Sequence, residues 1–201
     1  MFITFEGIDG CGKSTQLKIL NEFLVSKNIK TLVIREPGGT ILSERIRDIL
    51  LSKSVDMTDL SELLLFAAAR NSLVEKVIKP ALTNGIYVLS DRFYDSTSAY
   101  QGYGRGIDKE KISLINNLAT DGLKPDLTFY LKIPLEIAQK RSKKREKDRI
   151  ESAGTNFFEN VIRGYEMISI QEPNRFKVID AKGSIRYTHN LILNYMKNNS
   201  Q

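Results

Sequence analysis

The sequence predicts an α/β domain: a five-stranded, mostly parallel sheet with helices on both faces and a short basic lid. Three observations carry that prediction. Five short apolar runs lack clean alternation, helical patterns lie between them, and a glycine-rich loop joins the first run to the first helix. The runs are Met1–Glu6, Lys30–Ile34, Ile86–Ser90, Leu127–Ile133 and Phe176–Asp180. They are rich in Ile, Val, Phe and Leu, which is how parallel strands buried on both faces read.

Helical patterns cover Ser14–Lys27, Thr40–Leu51, Thr58–Lys79, Asp108–Thr120, Pro134–Arg145, Thr155–Ile170 and Ser184–Asn198. Pro134 suits a first helical turn, and Asn84-Gly85 reads as a stop after Pro80. Strands alternating with helices call for a mainly parallel sheet covered on both faces. No linker, repeat or low-complexity tract divides the 201 residues. They read as one domain over residues 1–201, with the lid as a mobile insert at about 141–155.

Composition bounds the function classes. Hydrophobic content of 41% and charged content of 27% are those of a soluble globular protein. The apolar run Leu63–Ala69 is far too short to cross a bilayer. Met1 to Phe5 enter a strand-like run with no basic segment or cleavage site, so neither signal peptide nor membrane anchor is expected and the predicted compartment is the cytoplasm. The lone Cys11 excludes an intramolecular disulfide. The net charge of +6 is local: Lys140 to Arg149 hold seven bases against two acids. A nucleic-acid face spreads its cations over a surface or groove, so a small polyanion fits better and no nucleic-acid partner is expected.

The strongest chemical signal is Gly7-Ile8-Asp9-Gly10-Cys11-Gly12-Lys13-Ser14, a complete G-x-x-x-x-G-K-[ST] loop. Phosphate oxygens need many donors at close range, and backbone N–H groups in a glycine-rich turn supply them without bulk. The following helix turns its positive end to the same anion. Lys13 reaches the β- and γ-phosphates of ATP, and Ser14 supplies a ligand to Mg²⁺. The context is a strand before and a helix after, which predicts a P-loop NTPase fold. Asp91, at the end of Ile86–Ser90, lies where ligands bind in open α/β sheets and fits the second magnesium ligand. Capping of the next helix, or pairing with Arg92, is the other reading of Asp91.

Further segments extend the pattern: Arg35-Glu36-Pro37-Gly38-Gly39-Thr40, Phe66-Ala67-Ala68-Ala69-Arg70, Asp91-Arg92-Phe93, Ser96 to Gly102, Gly104-Arg105-Gly106, Pro125-Asp126-Leu127-Thr128 and Asp148-Arg149-Ile150-Glu151. In this order and at these separations the chain resembles bacterial-type thymidylate kinases, of the P-loop nucleoside-monophosphate kinase family, from near residue 1 to about residue 180. The resemblance implies ATP-dependent phosphorylation of dTMP to dTDP, a step in dTTP biosynthesis for DNA synthesis, by a cytoplasmic homodimer with ATP and Mg²⁺.

The residues give each implied role a rationale. Arg92 offers a fork of donors for the acceptor phosphate, and Arg35 a second one. Phe66 presents a face to thymine, and Arg70, one turn later, a donor to a base carbonyl. On residues alone, Phe66 in an apolar helix reads ordinarily as core, Arg70 as a solvated helix residue and Tyr100 as packing on the sheet. The resemblance places Thr97 at the polar edge of the base, makes Tyr100 a check against a ribose 2′-hydroxyl, and brings Asp9 to the sugar 3′-hydroxyl and the magnesium shell. Asp180 to Gly183 would border the adenine. Arg141, Arg145 and Arg149 recur at four-residue spacing and share one face of a helix. Arg149, with Arg145, is expected to swing onto ATP as the lid closes; a solvated basic face is the plainer reading. Lys13, Arg92, Arg149 and Asp9 make up the expected catalytic set. The rival readings are a kinase of the same fold acting on uridylate or a deoxynucleoside, a nucleic-acid-binding ATP switch, and a non-catalytic nucleotide binder.

Overall fold

The computed structural model describes residues 1–142 and 148–198. Its strands are β1 (Phe2–Glu6), β2 (Thr31–Arg35), β3 (Tyr87–Asp91), β4 (Leu127–Lys132) and β5 (Phe176–Asp180), in the order β2-β3-β1-β4-β5. All four pairings are parallel, so the sheet is wholly parallel. The central strand β1 is buried along its whole length, which is why its sequence shows no alternation.

Local chemistry sets most helix boundaries. Helix α1 (Lys13–Ser26) starts from Gly12, which sits in the left-handed region at φ 101°. Helices α2 (Ile41–Leu51) and α3 (Asp59–Leu73) are capped by Thr40 and Thr58, whose hydroxyls accept from the N–H groups of Ser43 and Ser61. The helix expected over Thr58–Lys79 instead passes into a π-helical turn, Val74–Ile78, and continues as α4 (Lys79–Thr83) through Pro80. Proline brings no N–H to the ladder, and the wider turn accommodates it without ending the helix. The chain reverses at Gly85, φ 71°.

After β3 the chain forms α5 (Tyr94–Thr97) and a π-helical stretch over Ser98–Gly104, an element that the Ser-, Thr- and Gly-rich sequence does not advertise. Tertiary packing imposes it. A Cβ on Gly104 would lie 2.6 Å from the Phe157 ring, and one on Gly164 would lie 2.9 Å from the Tyr103 ring. Only glycine permits this close approach to α8 (Thr155–Gln171). The remaining helices are α6 (Lys109–Thr120), α7 (Leu135–Ser142) and α9 (Ile185–Asn198). The expected helix over Pro134–Arg145 is described only as far as Ser142; Arg145 lies outside the described residues.

Two apolar cores flank the sheet. The larger joins Ile3, Phe5, Phe129 and Ile179 to Leu20, Val161, Tyr165 and Ile192 from α1, α8 and α9. The smaller joins Phe2, Ile34 and Val88 to Leu73, Ile78 and Phe93. Among the described residues no helix is long and apolar enough to cross a membrane.

Candidate active site

The carboxyl ends of β1 and β3 are brought level by the register Phe5↔Asp91. The loop leaving β1 therefore opens beside Asp91. Gly10, at φ 84°, allows that loop to pass so near α7 that a Cβ would lie 2.5 Å from the Ala138 carbonyl. Lys13 is buried and folded back over its own loop, its Nζ donating to the carbonyls of Gly7 (2.9 Å) and Ile8 (3.3 Å). Ser14 Oγ donates to Asp91 Oδ2 at 2.8 Å. A hydroxyl and a carboxylate are hard oxygen donors, and a magnesium ion that takes its other ligands from phosphates and water needs no more from the protein. The described residues contain no group of three or more His, Cys, Asp or Glu side chains that could hold a metal ion; Ser14 and Asp91 together offer a hydroxyl and a carboxylate of the kind such an ion takes. Burial pushes the Cys11 thiol up, away from nucleophilic use.

A cavity of about 900 Å³ extends from this loop. Asp9 to Ser14 form one wall; Arg35, Phe66, Arg70, Arg92, Thr97 and Tyr100 line another. Gly7 and Ile8 are buried and do not line the cavity. Arg92 is held on several sides: Nη2 donates to Asp9 Oδ1 (3.1 Å) and Tyr100 Oη (3.3 Å), and Nη1 to Ser96 Oγ (3.1 Å). Burial works against its charge, but Tyr100, Asp9, Tyr165 and Asp91 outweigh it and keep the guanidinium firmly protonated. The Arg92 backbone occupies the left-handed region at φ 76°, unusual for a residue with a side chain.

Arg70 is not a solvated helix residue. It is buried and bonds Glu36 at 2.8 Å, Asn116 at 3.2 Å and the Phe93 carbonyl at 3.4 Å. Burial raises the Glu36 carboxyl in spite of Arg70. Glu36 Oε1 and Thr97 Oγ1 are buried without a hydrogen-bond partner among the described residues, and both side chains line the cavity. They are polar atoms that a ligand entering the cavity would satisfy. Tyr100 is nearly fully buried and Phe66 half-buried. Arg35 forms a two-bonded pair with Glu44 at 2.9 and 3.0 Å.

Arg149 stands elsewhere. It does not line the cavity; its Nη2 bonds Glu62 at 2.5 Å and its Nε the Leu50 carbonyl at 3.0 Å. Glu62 also accepts from Gln101 (2.8 Å) and Arg105 (3.1 Å). Burial opposes its charge, yet these three donors hold its carboxyl below the usual range.

Sequence reasoning passed over Glu36, Arg47, Glu62 and Gln101. Arg47 lines the cavity and donates to the Pro37 carbonyl at 2.9 Å. Glu36 stood inside a quoted segment, so its neighbours were its signal. Glu62 and Arg47 sit in ordinary amphipathic helices, and nothing local marks them.

The chain matches the family model described as thymidylate kinase over residues 5–192. It is 54% identical over 191 residues to the thymidylate kinase of Prosthecochloris aestuarii, covering 90% of this chain and 86% of that one. It is 52% identical over 185 residues to the thymidylate kinase of Thermosipho africanus, covering 92% of each. The crystal structure of thymidylate kinase from Ehrlichia chaffeensis superposes with a TM-score of 0.79 at 38% identity, over 98% of both chains.

Proposed function

The chain belongs to the thymidylate kinase family and transfers the terminal phosphoryl group of ATP to dTMP, giving ADP and dTDP, and we propose that both nucleotides meet in the cavity beside its glycine-rich loop. The observation that carries this reading is that loop residues Asp9 to Ser14 and the set Phe66, Arg70 and Arg92 open onto the same space. A phosphate oxygen of dTMP attacks the γ-phosphorus in line while the bond to the β-γ bridging oxygen breaks. Such a transfer asks the protein for positioning and charge stabilisation rather than a covalent intermediate.

In this reading the loop N–H groups cradle the donor phosphates. Lys13 exchanges its bonds to Gly7 and Ile8 for β- and γ-phosphate oxygens. Ser14 and Asp91 would hold Mg²⁺, which when bound neutralises charge on the donor phosphates. Arg92 grips the acceptor phosphate, with Arg35 beside it, and Asp9 orients Arg92 and meets the sugar. Phe66 stacks on the base, Arg70 and Thr97 meet its polar edge, and Tyr100 closes the sugar side. Ala181 and Gly183, which also line the cavity, border the adenine. The chain acts as a single cytoplasmic domain and pairs as a homodimer.

A coupled ADP-release assay over dTMP, dUMP, UMP and thymidine tests the acceptor. One methyl group in a fitted pocket is worth about 1–3 kcal/mol, so dTMP is expected to exceed dUMP by roughly 10- to 200-fold in kcat/KM. Equal rates for all four would refute the assignment of the base pocket. Lys13→Ala should abolish ADP release while leaving the thermal midpoint in place.

A further inference from the structure

Glu6 is the last residue of β1 and is fully buried, a place where a carboxylate is costly to keep. It lies outside the cavity wall and has no part in the mechanism above. Three donors converge on it: the Phe93 N–H on Oε1 at 2.7 Å, and the hydroxyls of Ser96 (2.6 Å) and Tyr165 (2.9 Å) on Oε2. The same two hydroxyl oxygens are the acceptors for Arg92 Nη1, at 3.1 Å from Ser96 and 3.4 Å from Tyr165. Ser96 and Tyr165 also lie 3.0 Å from one another.

We infer that Glu6 is the positioning residue of the acceptor-phosphate clamp, fixing the backbone of Arg92 through Phe93 and its guanidinium through Ser96 and Tyr165. The inference rests on the reading of Arg92 as the group that grips the dTMP phosphate. Its physical basis is hydrogen-bond polarity. An ionised carboxylate only accepts, so both hydroxyls must turn their protons toward Glu6 and present lone pairs to the guanidinium. Arg92 in turn only donates; burial, with Asp95, raises the Glu6 carboxyl to about 7 against the pull of Arg92, so the carboxylate form prevails at pH 8. The backbone arm acts alongside. Arg92 sits at φ 76° between two anchors: its own N–H bonds the Phe5 carbonyl at 3.0 Å, and the next N–H, that of Phe93, bonds Glu6. Consecutive residues of β1 thus pin consecutive residues after β3.

Glu6→Gln keeps the shape and reverses the polarity. The Phe93 N–H requires an oxygen at the Oε1 position, which leaves the amide NH₂ facing Ser96 and Tyr165. Those hydroxyls then accept from the amide and direct their protons at the guanidinium. The effect should fall on the phosphate grip and spare the base pocket.

The test compares binding of dTMP with binding of thymidine, which lacks the phosphate, by titration calorimetry at pH 8. Wild type, Arg92→Ala, Glu6→Gln and Ser96→Ala are measured with their thermal midpoints. Arg92→Ala is expected to erase most of the preference for dTMP. Glu6→Gln is expected to cut that preference by about tenfold, in keeping with the worth of a hydrogen bond to a charged group, with thymidine affinity within about twofold of wild type. Ser96→Ala should cause the same phosphate-selective loss to a smaller degree, and it stands in should Glu6→Gln fail to fold. If Arg92→Ala loses the preference while Glu6→Gln and Ser96→Ala keep it, or weaken both ligands equally, the positioning role is overturned and the clamp survives. If Arg92→Ala itself keeps the preference, the clamp reading falls and this inference with it.

Discussion

Arg70 and Glu36 meet at 2.8 Å with side chains 2% and 4% exposed, so the pair is held almost wholly out of water. Removing one partner of such a pair leaves an uncompensated buried charge, at a cost of about 3–5 kcal/mol. Arg70→Ala should lose about that much stability in urea unfolding of the unliganded protein, in addition to losing dTMP affinity. A variant with wild-type stability would mean that Glu36 is content to be neutral. Glu6 gives a pH prediction. Burial, with Asp95 second, pushes its carboxyl from 4.5 up to about 7. The folded state then holds the proton after the unfolded chain has released it, so stability declines as pH rises through that interval. Measured against Glu6→Gln, the wild type should lose stability between roughly pH 4.5 and pH 7. A pH-independent difference would contradict it.

Among the elements, the turn at Asp148–Ala153 bears on how the lid works. Arg149 is expected from sequence to reach ATP, and in the structure it joins this turn to α2 and α3 through Leu50 and Glu62. Contact with the donor would require it to exchange the Glu62 carboxylate for a phosphate. The two occupations give different signatures in Arg149→Ala. A donor contact predicts turnover cut by about 10²-fold or more with the melting point kept. A strut predicts a lowered melting point with turnover largely retained, because Glu62 loses one of its donors while still buried. We expect the first; turnover unchanged would remove Arg149 from the lid mechanism. Gln101 bonds the same carboxylate and lines the cavity, so Glu62 links the Asp148–Ala153 turn to the cavity lining in either case.

For the whole molecule, helices α3 and α6 pack side by side and leave Leu60, Leu64, Leu114 and Leu118 more than half exposed. Exposed leucines on two neighbouring helices are candidates for a surface of association. A homodimer built on it has a two-fold axis and buries the same leucines from each copy. Leu64→Asp combined with Leu118→Asp should convert a dimer to a monomer in sedimentation velocity. A wild-type chain that sediments as a monomer at micromolar concentration would remove the homodimer proposal. The basic excess belongs to another stretch of the sequence, Lys140 to Arg149.

The sequence by itself determined the order of strands and helices, the donor loop and the segments that surround the acceptor. These are local patterns: unbroken apolar runs for strands buried on both faces, glycines where the backbone approaches phosphate, and caps at helix starts. It did not determine which distant groups share a charge or a proton. Arg70 reads as an ordinary helix residue until the fold brings Glu36 beside it, 34 positions away, and nothing in the sequence pairs Arg149 with Glu62, 87 positions away. Nor does it reveal the helical stretch over Tyr94–Gly104, whose weak local propensity is overridden by Phe157, Val161 and Tyr165 packing against it. Hydrogen bonds and ion pairs are decided by proximity in space, and proximity between residues far apart in the chain exists only once the sheet has set its register.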